Sequence, residues 1–213
     1  MGRIFSLSPI PLRANFDFMR YYFLLLVLIG FACSSESSIE GDVYFEKGQF
    51  RKAVESYNQY LGANQPTVKT IYNRGRAYEE LGELDAALVD FEWVVEKDAK
   101  NSNALLSIAK IRYEQQNYEQ ALLWVAKALE LNTNLAQGHF LSARAKHQMG
   151  YTKEAMESYG MAIEINRDYG EAYLYRGALK VATGLKRGAC EDFVKAKNLR
   201  VDGAADALTN YCK

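Results

Sequence analysis

The stretch YEELGELDAALVDF, residues 78–91, returns twice in altered form, as RYEQQNYEQALLWV at 112–125 and as KHQMGYTKEAMESY at 146–159. Each return comes 34 residues after the last. Extended in both directions, the register holds. Ala53, Ala87, Ala121, Ala155 and Ala189 stand 34 apart. Four residues after each Ala come Tyr57, Phe91, Val125, Tyr159 and Phe193, and seven after come Tyr60, Val94, Ala128, Ala162 and Ala196. Five before are Gly48, Gly82, Gln116, Gly150 and Gly184, and twelve before are Gly41, Gly75, Ala109, Ala143 and Gly177. A fixed period of this length is the mark of a repeat architecture.

Each column has a physical meaning. Spacings of 0, 4 and 7 place the Ala, the large residue and the third residue on one helix face. Gly in the turn column ends one helix and lets the chain reverse. The small residue of the preceding helix lets two helices cross closely. Each period therefore reads as a helix pair. First helices are predicted near 36–46, 68–81, 102–115, 136–149 and 170–183. Second helices are predicted near 50–62, 84–97, 118–131, 152–165 and 186–198. One pair cannot bury its own apolar face, so the pairs must stack into a continuous core.

The pattern resembles the tetratricopeptide repeat, across residues 34–203, and phrases such as Tyr78-Glu-Glu-Leu-Gly82 and Asn117-Tyr-Glu-Gln-Ala121 carry the likeness. The resemblance implies an all-α helix-turn-helix solenoid of about five repeats, at 34–67, 68–101, 102–135, 136–169 and 170–203, closed by a cap at 204–213. The chain departs from the family pattern in two columns. Ala99, Thr133 and Arg167 stand where Pro usually closes a repeat, and Ile71, Leu105, His139 and Tyr173 replace the Trp of the first helix.

Ahead of the repeats, residues 21–32 read YYFLLLVLIGFA, without charge. Twelve apolar residues are too few for a bilayer, which takes ~20. Arg20 precedes the run and Ala32 closes it, as in a secretory signal spanning 1–33. Cys33, followed by the small polar tail CSSESS, resembles the lipidation site of bacterial lipoproteins, although Gly30 stands where that family prefers Leu. The resemblance implies that the Cys33 thiol is acylated, and Ser34 after it points to the outer membrane of a Gram-negative cell. A plain secretory signal, or an N-terminal apolar helix packed on the fold, is the competing reading. Residues 1–18 hold Pro9, Pro11 and Asp17, which suit such a signal poorly, so either translation begins at Met19 or the n-region is unusually long.

Composition removes other classes. Lys plus Arg is 26 and Asp plus Glu is 26, so net charge is zero and nucleic acid is not the expected partner. No GxGxxG or Walker loop occurs, no Ser or Cys nucleophile stands beside a His, and two His with three Cys leave no metal set. His139 and His147 share a helix, but two turns apart, and His139 falls in a core column. No catalytic residue, metal or cofactor is expected.

What remains is recognition. By the resemblance, first helices line a groove that holds peptides. One groove column carries Arg76, Lys110 and Arg144. Four residues earlier come Tyr72, Leu106, Phe140 and Leu174, and three later come Glu79, Tyr113 and His147. Two readings of the basic stripe stand open. It recruits an acidic or C-terminal peptide with apolar side chains, or it lies over neighbouring residues and is neutralised by nearby Glu. The two-carboxylate clamp of chaperone-binding repeats is not matched, Asn73 apart. The functional readings are a membrane-tethered interaction scaffold of the cell envelope and, as the alternative, a constitutive structural subunit of an envelope complex.

An exported chain meets an oxidising compartment. With Cys33 lipidated, Cys190 and Cys212 remain, eleven residues either side of Val201. In an antiparallel helix pair, positions equidistant from the turn face each other, so a Cys190–Cys212 disulfide is expected to hold the cap on the last repeat.

Overall fold

The computed structural model describes residues 40–212. The readings of residues 1–33, Met19 and Cys33 included, lie outside the described residues, as does the start of the predicted helix 36–46. Every regular element among the described residues is a helix. The chain divides into two units, Met1–Thr70 and Ile71–Lys213.

In the first unit, α1 covers residues 40–46 and α2 covers Phe50–Ala63. Ala53 and Tyr57 bury fully on the inner face of α2. The Tyr57 hydroxyl donates to Asp42 Oδ1 at 2.7 Å, and Lys69 donates to Asp42 Oδ2 at 2.9 Å.

The second unit holds most of α3 (Val68–Glu80), then α4 (Leu84–Lys97), α5 (Ser102–Glu114), α6 (Tyr118–Leu131), α7 (Ala136–Gln148), α8 (Thr152–Ile165), α9 (Gly170–Ala182), α10 (Lys186–Asn198) and α11 (Ala204–Tyr211). The first helices of these repeats end one residue before the predicted bounds. In their place the chain makes a tight closing turn. At each end the sixth residue's N–H returns to the first residue's carbonyl, as from Glu83 to Tyr78, Asn117 to Arg112, Tyr151 to Lys146 and Leu185 to Lys180, all at 2.8–2.9 Å. This closure needs one residue in the left-handed region. Gly82, Gly150 and Gly184 supply it with φ of 73°, 81° and 80°, and Gln116 must adopt φ 60° at the same position.

The core is the register made physical. Ala87, Ala121, Ala155 and Ala189 are wholly buried, with Phe91, Val125, Tyr159 and Phe193 beside them. Gly177 is small because the Phe193 ring packs against it: a Cβ there would stand 2.6 Å from the ring. Burial of such large side chains is worth ~1.5–3 kcal/mol each, and it recurs in every stacked pair, which is why no single pair needs to be stable alone.

Two repeats contain a buried ion pair. Arg74 grips Asp90 with two bonds of 2.9 and 2.7 Å. Arg176 grips Asp192 in the same way, three periods later, and Lys180 adds a contact to Asp192 at 2.8 Å. Between them the same two columns read Ile108 with Trp124 and Ser142 with Ser158. The columns change together, because a buried carboxylate without its cation would be costly.

At the end of the unit α11 covers α10. Ala204 is buried, and the Phe193 and Tyr211 rings stand 6.3 Å apart. Cys190 and Cys212 are joined as a disulfide, with Cα atoms 5.7 Å apart.

Candidate functional site

Helices α3, α5, α7 and α9 present the predicted groove columns. The structure sorts those residues into two groups with different electrostatics.

The first group lines an open depression of ≈ 380 Å³. Tyr72, Arg76 and Glu79 from α3 meet Leu106 and Lys110 from α5 there, and the rim also includes Glu80, Asn103, Ser107 and Gln137, which the sequence reading did not place in the groove. Leu106 is a buried floor. The Tyr72 ring is 5.5 Å from Phe91, and its hydroxyl faces Ser107. Burial raises that hydroxyl's pKa, with Ser107 and Arg76 opposing. Lys110 reaches across to Glu79, Nζ to Oε1 2.6 Å. Burial pulls the Lys110 pKa down, but Glu79 outweighs it and holds the ammonium above its ordinary range. The open question about the stripe is thus answered at Lys110: its charge is matched inside the chain.

The second group is aromatic. Arg144 on α7 is half-buried among rings, its guanidinium carbon 4.4 Å from the Tyr113 centroid, 5.5 Å from Tyr175 and 5.8 Å from Phe140. Phe140 also contacts Tyr169 at 4.7 Å and Tyr159 at 5.8 Å. Burial pushes the Tyr169 hydroxyl up to about 12 and the Tyr159 hydroxyl higher still, with Arg144 opposing the shift in both. Tyr175 was not foreseen; it lies one residue after the predicted Leu174, so the helical spacing of the groove columns points past it. His147 and Leu174 join neither group. His139 is half-buried, its Nε2 hydrogen-bonded to the Thr133 carbonyl at 2.9 Å, rather than sunk in the core.

No set of three metal-binding side chains occurs among the described residues. Nor is any described helix long and apolar enough to cross a membrane. The surface has the means to hold a ligand by charge, rings and hydrogen bonds.

Stacked helix pairs with a lined first-helix face define a repeat protein of the binding type. The tetratricopeptide repeat family matches residues 40–90, 72–137 and 136–169, more than half of the chain, and the chain belongs to that family. Among solved structures it is similar to MamA, at 25% identity and a TM-score of 0.66, covering 75% of this chain and 94% of that one. A thermophilic tetratricopeptide repeat protein of Thermus thermophilus shares the fold at 18% identity and TM-score 0.66, covering 83% of this chain and 100% of that one. Tetratricopeptide repeat protein 12 of Homo sapiens is 31% identical over 97 residues, 45% of this chain and 14% of that protein. A Dictyostelium discoideum DnaJ homolog subfamily C member 3 homolog is 23% identical over 157 residues, 63% of this chain and 31% of that protein. The chain therefore spans less than a third of the length of these two curated relatives.

Proposed function

We propose that this protein is a membrane-tethered, non-enzymatic interaction scaffold that holds a peptide or protein of the cell envelope on the face formed by α3, α5, α7 and α9. The tetratricopeptide fold supports a protein-binding role. The observation that carries the reading is the face itself: half-buried Tyr72, Tyr113 and Tyr175 alternate there with Arg76, Lys110 and Arg144, a mix of contact area and directional charge suited to peptide recognition. The tether rests on the sequence of residues 21–33, with acylated Cys33 as anchor and the outer membrane of a Gram-negative bacterium as destination. Several acyl chains, at ~0.8 kcal/mol per buried CH₂, hold a protein firmly.

The second reading, a constitutive subunit, would draw on Val89 and Leu123, exposed on α4 and α6 at 65% and 50%. Their column continues as Glu157 and Glu191, so the apolar strip stops after two repeats, which favours the scaffold.

Two measurements test the proposal in cells. A photo-crosslinking side chain at Gln137, on the exposed rim of the depression, should capture a defined envelope protein, and the same probe at Glu157 should not. Cys33→Ser should move the protein to the soluble fraction. Equal capture from both positions defeats the groove, and unchanged membrane association defeats the anchor.

A further inference from the structure

Arg144 differs from the other groove cations. Lys110 has Glu79, and on neighbouring elements Arg74 has Asp90, Arg112 has Glu92 and Arg176 has Asp192. Arg144 has no carboxylate partner among the described residues. Its contacts are the rings of Tyr113, Phe140 and Tyr175. Ring faces attract the cation but offer no lone pair to its N–H donors, whose fork is matched to a carboxylate.

A second observation comes from beside it. Tyr159 is wholly buried and its hydroxyl has no hydrogen-bond partner. That hydroxyl lies within electrostatic reach of the Arg144 guanidinium. Buried hydroxyls are almost always bonded, and an orphan calls for a reason. The repeat register supplies one. Tyr57 stands three periods before Tyr159, and Asp42 stands three periods before Arg144. In the first repeat the Tyr57 hydroxyl donates to Asp42 at 2.7 Å. In the fourth, a cation has replaced the acceptor, and the tyrosine is left without one.

We infer that Arg144 and Tyr159 form a subsite for a carboxylate brought by a ligand, which takes the place in the fourth repeat that Asp42 holds in the first. The inference rests on the proposed peptide-binding role and adds the chemistry of the ligand. Tyr113, Phe140 and Tyr175 surround the charge with apolar area, so the acidic residue is flanked by apolar ones. Arg144 lies on the third of four groove helices, so an extended peptide continues past it on both sides. That favours an acidic side chain within a chain over a terminal carboxylate.

The probes are three short peptides: acetyl-Leu-Glu-Leu-amide, its Gln analogue, and acetyl-Leu-Leu with a free terminus. They are titrated into the full chain in detergent, reading the side-chain Nε–H resonance that disappears in Arg144→Gln. The Glu peptide should shift that resonance saturably and bind at least tenfold more tightly than the Gln peptide. Arg144→Gln, followed on backbone amides, should weaken the Glu peptide at least tenfold and leave the Gln peptide unchanged, while Lys153→Gln, exposed on α8 away from the groove, changes either less than twofold. Tyr159→Phe should weaken the Glu peptide about threefold without lowering the thermal midpoint of the free protein, since the hydroxyl it removes is unsatisfied there. Equal binding of the Glu and Gln peptides, preference for the free terminus, or no saturable shift from any peptide each overturns the subsite. None of these touches the crosslinking result, which reads any groove partner whatever its charge.

Discussion

Glu79 on α3 and Lys110 on α5 form an ion pair of 2.6 Å across 31 residues of sequence, so two neighbouring repeats are tied by a contact that neither contains alone. Lys110 remains 45% exposed. Glu79 is only 13% exposed, so the pair is part-buried, but water on the lysine side keeps its worth at ~0–1 kcal/mol. A double-mutant cycle of Glu79→Gln and Lys110→Gln should give a coupling energy inside that range by urea denaturation. A coupling above ~2 kcal/mol would mean that the pair is a structural clamp.

The turn after α5 can be improved. Gln116 is held at φ 60° where three other repeats of the second unit use Gly. A side chain in that region costs ~1–2 kcal/mol, and the looser unfolded chain with Gly returns part of it. Gln116→Gly should raise stability by ~0.5–1 kcal/mol, seen as a higher urea midpoint at constant m-value. The reverse change, Gly150→Ala, should lower stability by a similar amount.

The Arg176–Asp192 pair gives a sharper test, because the fourth repeat shows what can replace it. Asp192→Ser alone strands Arg176 beside Lys180 in a buried site, and should cost ~3 kcal/mol. Arg176→Ser together with Asp192→Ser recreates the Ser142, Ser158 and Lys146 set, in which Lys146 donates to Ser158 at 3.0 Å. The double variant should be more stable than the single one. If it is less stable, the columns do not act as a unit.

Alkaline pH should weaken the fourth repeat first. Unfolded tyrosines ionise near ~10, whereas burial holds Tyr169 near about 12 and Tyr159 above it. The folded form thus keeps protons that the unfolded form has lost. The stability from these groups is complete below pH ~10 and disappears as pH rises through the folded pKa. Urea midpoints should fall steeply from pH 10 to 12, with tyrosinate absorbance rising together with unfolding. Tyr169→Phe should flatten the slope, and an unchanged slope would remove Tyr169 from the account.

The Cys190–Cys212 bridge closes a loop with sequence separation 22. The chain-entropy model gives ~3 kcal/mol for a loop of this size. Cys212→Ser should lose about that much and detach α11, exposing Phe193 and Ala204. Dye binding to exposed apolar surface and a fall in urea midpoint report it. Two free thiols in unreduced protein would show that the bridge does not form.

The order of residues alone reveals the all-α repeat and the pairing of helices. It could do so because burial at spacings of 0, 4 and 7 and a left-handed turn are local demands, met again every 34 residues. Even Gln116 was visible as the odd member of the turn column. The same register set Tyr57 beside Asp42 and, three periods on, Tyr159 beside Arg144, though nothing in the order of residues said that one hydroxyl is satisfied and the other is not. The state of the groove cations was decided only in three dimensions. Arg76, Lys110 and Arg144 are equivalent in the register, but a long side chain chooses its partner among everything within its reach. For Lys110 that reach includes Glu79 of the preceding repeat. Arg144 instead meets rings from α5, α7 and α9, and it pairs with no carboxylate among the described residues. Charge compensation depends on distances between elements, and a period along the chain does not contain them.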